Sequence, residues 1–266
     1  MNTIDRSAFK TLGVQCEAGI LTITLSRPTA KNAVDQVMHR ELSEVFQLAE
    51  RDESARLVIL TGAGDAFSSG GDLAYMKYML ETPGAFAESA LEARRIVFGL
   101  LDLTKPVIAR VNGDAIGLGA TLALMSDVVV AANEARIGDP HVRVGLVAGD
   151  GGAVIWPALV GYARAKAALL TGQLIPAPRA AEIGLITAAV PKAELDDEVA
   201  RWIRDLDAGS TMAVRYTKMA LNIGLKQQAA AVLDASLGFE TVTAQSADHA
   251  EAVQAFAEHR RPAFSK

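Results

Sequence analysis

Three short apolar runs constrain this chain most: residues 57–60, 106–111 and 127–132. Each is shorter than a helix and rich in Val, Ile and Leu. None alternates with polar residues as a strand with one wet face would, so each reads as a strand buried on both faces. Helical patterns separate them, over 73–80 and 85–103 after the first and over 117–126 between the second and third. Strand, loop and helix recurring in this way predict an α/β fold with crossover connections. A hairpin is expected over 14–25, turning at Gly19, followed by a helix over 34–50. Beyond Gly151 the pattern is mostly helical, clearest over 193–206, 227–243 and 248–259. This shift predicts a core over 1–191 and a helical region over 192–266.

Half of the 266 residues are apolar and the formal net charge is −5. That composition supports a large core and argues against disorder or electrostatic binding of nucleic acid. Cys16 is the sole cysteine, which excludes an intrachain disulfide and a cysteine-based metal centre. The four histidines, His39, His141, His249 and His259, do not fall at zinc-motif spacing, so no metal is expected. The opening residues carry no apolar signal core. The longest apolar stretch, 115–132, is interrupted by Ser126 and Asp127. The expectation is a soluble, cytoplasmic protein without a membrane span.

Two segments place glycine where exposed backbone N–H groups would be useful. One is Phe67-Ser68-Ser69-Gly70-Gly71-Asp72-Leu73, the other Asn112-Gly113-Asp114-Ala115-Ile116-Gly117-Leu118-Gly119. Each follows a strand and opens a helix, and a helix start presents unpaired N–H groups and partial positive charge. Taken alone, each also reads as a tight strand-to-helix turn. Neither spells a nucleotide-binding glycine motif.

As a pair, and together with Arg27-Pro28, the KPVIARVNG strand, the segment 139–152, Leu170-Thr171-Gly172, Ala181-Glu182-Ile183-Gly184-Leu185 and Arg261-Pro262-Ala263-Phe264, these loops resemble the crotonase (enoyl-CoA hydratase/isomerase) superfamily. The resemblance implies a crotonase-like core of stacked ββα units with a C-terminal α-helical region used in trimer packing. The assembly would be a homotrimer or a dimer of trimers. It implies an enzyme of fatty-acid metabolism acting on an acyl-CoA thioester, with coenzyme A as part of the substrate and no separate cofactor. The oxyanion donors would be the N–H groups of Gly71 and Leu118. Ser69, Asp72 and Leu73 would border the coenzyme A path. Arg27, and Phe264 from a neighbouring subunit, correspond to coenzyme A contacts, although Arg27 also fits a solvated hairpin end and Phe264 a core anchor.

The catalytic side chains depart from the family pattern. Thr121 and His141 stand where a typical hydratase carries its two glutamates. A threonine hydroxyl cannot serve unaided as a general base. His141 and Asp150 flank a loop expected over the acyl site, and histidine suits proton transfer near neutrality. Asp150 would hold the imidazole or activate water, with Thr121 at most orienting water. The competing readings are a surface histidine after Pro140 and an N-cap aspartate before Gly151-Gly152. Met76, Tyr78 and Met79 are candidate pocket-wall residues. His39 reads as an exposed or half-buried helix filler, and His249 and His259 as a solvated face. Glu92, Arg94 and Arg95 also read as a solvated face, on a helix that borders the acyl pocket in the alternative. The His/Asp pair also resembles the β-diketone hydrolases of the 6-oxocamphor hydrolase type, which cleave a carbon–carbon bond without coenzyme A. That branch uses a further histidine near the second oxyanion donor, and none lies between Val111 and Thr121. A non-catalytic acyl-CoA binder is the third reading.

Overall fold

The computed structural model describes residues 8–265. Strands β1 (Leu12–Glu17) and β2 (Ile20–Leu25) form the expected antiparallel hairpin. Ala18 and Gly19 both take positive φ at its tip, as a tight two-residue turn requires. Helix α1 (Gln36–Arg51) follows, capped by the Asp35 carboxylate on the Met38 N–H at 2.8 Å. Strand β3 (Leu57–Gly62) leads to α2 (Leu73–Glu81) and α3 (Ala85–Asp102). Strand β4 (Val107–Val111), the two-residue β5 (Ala115–Ile116), α4 (Leu118–Leu124), β6 (Val128–Ala132) and β7 (Arg136–Gly138) come next. Helix α5 (Gly152–Thr171), β8 (Leu174–Pro176), α6 (Ala177–Glu182) and β9 (Ala188–Val190) complete the mixed part. Helices α7 (Leu195–Asp207), α8 (Thr211–Ala244) and α9 (Ala247–Ala257) close the chain.

The main sheet runs β1-β2-β3-β4-β6-β9 and is parallel from β2 onward; β5, β7 and β8 form a second, smaller sheet. The three apolar runs are its central strands. Their side chains alternate between two cores, which explains the missing polar alternation. Val58, Leu60, Val107, Ala109 and Val111 face a large cluster built with α1, α3, α4, α5 and α8. Leu57, Ile108, Val128 and Val130 face a smaller cluster completed by Leu195 and Val199 of α7.

Two expectations needed correction. The helix expected over 227–243 runs for 34 residues, Thr211–Ala244, because its first half shows solvent apolar residues such as Tyr216, Leu221 and Ile223 and so carries no clean stripe. The second sheet was not anticipated, since strands of two or three residues leave no period to read. Helix α5 is the described helix long and apolar enough to cross a bilayer, but it breaks at Gly161 (φ 74°) and buries Val154, Ile155 and Trp156 in the main core.

Lys105, at the entrance to β4, shows how the sheet is fastened to α1. Its ammonium is buried and donates to the Ala49, Glu50 and Asp52 carbonyls at 2.5, 3.0 and 2.7 Å, where α1 runs out of its own donors. Burial pushes its pKa down. Lys105→Met should strip this donor from the Ala49 and Glu50 carbonyls and destabilise the protein by about 3 kcal/mol in guanidinium unfolding at pH 7.

Candidate active site

The two glycine loops are stitched side by side. The Ile116 N–H donates to Ser68 O at 2.9 Å, and Ser68 bridges Ala115. Gly70 has φ +88°, and a Cβ there would sit 3.1 Å from Ile116 O. A Cβ on Gly119 would sit 2.6 Å from the Ser68 Cβ, so α4 approaches the first loop only through glycine. The backbone around Gly71 is held by Val34, whose N–H donates to Gly70 O and whose carbonyl accepts from Asp72. That bridge skips the Gly71 N–H. Leu118 opens α4, so its N–H is among those that a helix start leaves unpaired.

A third segment supplies the titratable groups. After β7, residues His141–Val144 form a 3-10 turn, closed by Gly145 in the left-handed region. The His141 Nδ1 pairs with an Asp139 carboxylate oxygen. Its Nε2 faces Asp150 Oδ2 at 3.6 Å and Glu240 Oε1, from α8, at 3.8 Å. The other Asp150 oxygen accepts from the Thr121 hydroxyl at 3.3 Å. Asp150 does not cap α5: Gly151 holds the cap position, with no side-chain cap bond.

Burial opposes a charge on His141, but Asp139, Asp150 and Glu240 more than reverse this and raise its pKa well above the usual value. Burial likewise raises the Asp150 carboxyl, although His141 pulls it back. Burial pushes Glu240 up to about 8, against the opposing pull of His141. The site therefore holds an imidazolium beside a carboxylic acid that keeps its proton at neutral pH. Asp139, His141 and Asp150 also place ligand-type atoms within 4.8 Å of one another, the donor set that a divalent cation would use.

Two cavities meet at His141. A chamber of about 80 Å³ is bounded by Gly71, Leu118, His141, Asp150 and Glu240, with Met76, Met79 and Leu237 among its apolar walls. A groove of about 210 Å³ runs past Ser69, Leu73, Gly117 and Val144. Gly71, Met76 and His141 line both.

Of the other residues singled out in the sequence, Arg27 is tied down locally, bonding Ala33 O at 2.5 Å and pairing with Asp72 at 3.0 Å and Asp35 at 3.1 Å. The second Asp72 oxygen caps α2 through Ala74 and Tyr75. Thr121 is fully buried behind Asp150, and Phe264 is partly exposed outside both cavities. Tyr78 is exposed, outside the pocket wall. His249 departs from expectation: it is buried, and its Nδ1 meets Val144 O at 2.7 Å, because α9 packs onto the His141 turn. His39 and Glu92 are likewise inside, paired at 2.7 Å. Glu240 was missed. Its signal is its place in the buried stripe Leu233, Leu237, Glu240, Ala244, where a lone carboxylate interrupts an apolar helix face.

Residues 15–266 match the family model described as enoyl-CoA hydratase/isomerase. The chain is 34% identical to the 1,2-epoxyphenylacetyl-CoA isomerase of Escherichia coli over 94% of its own length and 96% of that protein. An enoyl-CoA hydratase/isomerase from Mycobacterium paratuberculosis superposes with a TM-score of 0.89 at 36% identity, covering 92% of this chain and 98% of that one. A β-diketone hydrolase from the cyanobacterium Anabaena superposes with a TM-score of 0.84 at 28% identity over 92% and 98%. The fold and these matches define an enzyme of the crotonase superfamily. Within it, the chain belongs to the enoyl-CoA hydratase/isomerase family.

His141 and Glu240 bind protons more tightly in the folded than in the unfolded chain, so stability falls as pH rises through their folded pKa values. For Glu240 that loss spans pH 4.5 to about 8. Glu240→Gln mimics the protonated acid and should flatten this limb; urea unfolding from pH 5 to 8 measures it.

Proposed function

We propose that the protein acts on acyl-CoA thioesters, stabilising an enolate between the Gly71 and Leu118 N–H groups while His141 and Asp150 move the proton. The observation that carries this reading is the position of His141 at the meeting point of groove and chamber, beside Gly71. Coenzyme A would lie along the groove past Ser69 and Leu73, on a loop that the Arg27–Asp72 ion pair fastens. The acyl group would enter the chamber. In a trimer, Phe264 of one subunit would reach coenzyme A bound to its neighbour. Large exposed apolar residues on the last two helices, including Phe239, Val242 and Phe256, support such an assembly. A soluble, cytoplasmic protein fits the same reading.

Backbone donors aimed at a developing oxyanion are worth roughly 3–4 kcal/mol each in acyl-transfer enzymes. They supply the electrophilic role, so the reading needs no metal. Asp139 fixes the imidazole through Nδ1 and leaves Nε2 directed at Asp150 and Glu240. Thr121 positions Asp150. In hydration, Asp150 takes a proton from water as its oxygen joins the β-carbon. The double-bond pair moves onto the thioester oxygen, and the α-carbon then receives a proton from His141 or Glu240. In isomerisation the same cluster removes a proton from one carbon and returns it two carbons along. His141→Ala and Asp150→Ala should each lower kcat at least 100-fold, with coenzyme A ester affinity near wild type by calorimetry. Wild-type turnover in both variants would refute these roles.

A second reading, hydrolysis of a carbon–carbon bond in a cyclic β-diketone, is favoured by the likeness to the Anabaena hydrolase. Assays on crotonyl-CoA and on a bicyclic β-diketone separate the two. Thioester turnover is expected; diketone cleavage with no coenzyme A ester binding would select the second.

A further inference from the structure

The chamber wall holds a polar side chain that the proton chemistry leaves unused. His39 of α1 lines the chamber, with its side chain only 8% exposed. Its Nδ1 is held by Glu92 of α3 at 2.7 Å, and Glu92 does not line the chamber. Burial opposes the Glu92 charge, but the His39 bond and Arg40 more than offset this and keep the carboxyl below its usual range. Glu92 is thus an acceptor, and Nδ1 carries the proton. Tyr75 and Ser89 are the neighbouring polar residues of the wall. The Nε2 of His39 has no partner among the described residues. The imidazole also lies close enough to Asp150 for its charge to favour that carboxylate.

We propose that His39 reads a hydroxyl on the acyl group, so that the preferred substrates are short acyl-CoA thioesters hydroxylated beyond the reacting carbons. This rests on placing the acyl group in the chamber. Size favours a short chain: the chamber's free space of about 80 Å³ is below the roughly 150 Å³ cavity that holds benzene. Charge limits the polar group. Asp150 lines the chamber and Glu92 backs it, so an acyl carboxylate would meet negative charge from both. A neutral hydroxyl can donate to or accept from Nε2 and is therefore suited to either protonation state of the ring. A methyl group in its place would leave a buried nitrogen dry and unpaired.

The test compares kcat/KM for but-2-enoyl-CoA and 4-hydroxybut-2-enoyl-CoA in the wild type, His39→Leu and His39→Gln. The wild type should favour the hydroxylated thioester by about tenfold or more. His39→Leu should bring that ratio to one or below, while His39→Gln, which keeps a hydrogen-bonding end, should retain part of it. A structural role alone would lower both substrates together and leave the ratio unmoved. Turnover of both thioesters with a wild-type ratio near one, or with a ratio unchanged in His39→Leu, overturns the role of His39 and leaves the acyl-CoA reading standing. A wild-type protein that neither binds nor turns over either thioester overturns both.

Discussion

The pairing of His141 with buried carboxyls is the interaction on which the site depends. One imidazole is surrounded by Asp139, Asp150 and Glu240, drawn from the segment after β7, the loop before α5 and the C-terminal end of α8. Placed alone, each of these groups would shed its charge rather than remain buried. In the cluster, the charge on His141 draws the Asp150 and Glu240 carboxyls down against their burial, and those carboxylates hold His141 up. The surrounding fold holds them in register: Thr121 fixes one oxygen of Asp150, and Gly151 lets the chain pass where a Cβ would strike Thr121.

Burial shapes this cluster as much as charge does. The Thr121 hydroxyl donates to one Asp150 oxygen. Glu240 comes from a helix of the C-terminal region, and burial pushes its pKa up to about 8. The two glycine loops in turn depend on close approach at Gly70 and Gly119.

Much of this was legible in the sequence, for identifiable reasons. The central strands declare themselves because burial on both faces demands continuous apolar runs. The glycine loops declare themselves because no other residue tolerates the contacts they make. His141 stands out because it falls where the resemblance expects a glutamate, and Asp150 because it flanks the same loop. The strands β5, β7 and β8 were illegible because pairing, not composition, creates them. His39 and His249 were misread because helix periodicity alone does not show which neighbours cover a face. Asp139 carries no signal of its own in the sequence: its partner is two residues away, but only the 3-10 turn folds the imidazole back onto it.

The crossing of α9 over the His141 turn also bears on how the protein is made. Gly145 packs so tightly against His249 that a Cβ there would sit 2.8 Å from its backbone nitrogen. Glu240 leaves the ribosome roughly a hundred residues after His141. A nascent chain that has already folded its sheet therefore carries an unfinished charge cluster, open to water on the side that α8 and α9 will cover. The cluster is sealed only once α8 and α9 have been made, so a product truncated before them would keep the central strands and yet leave His141 open to water.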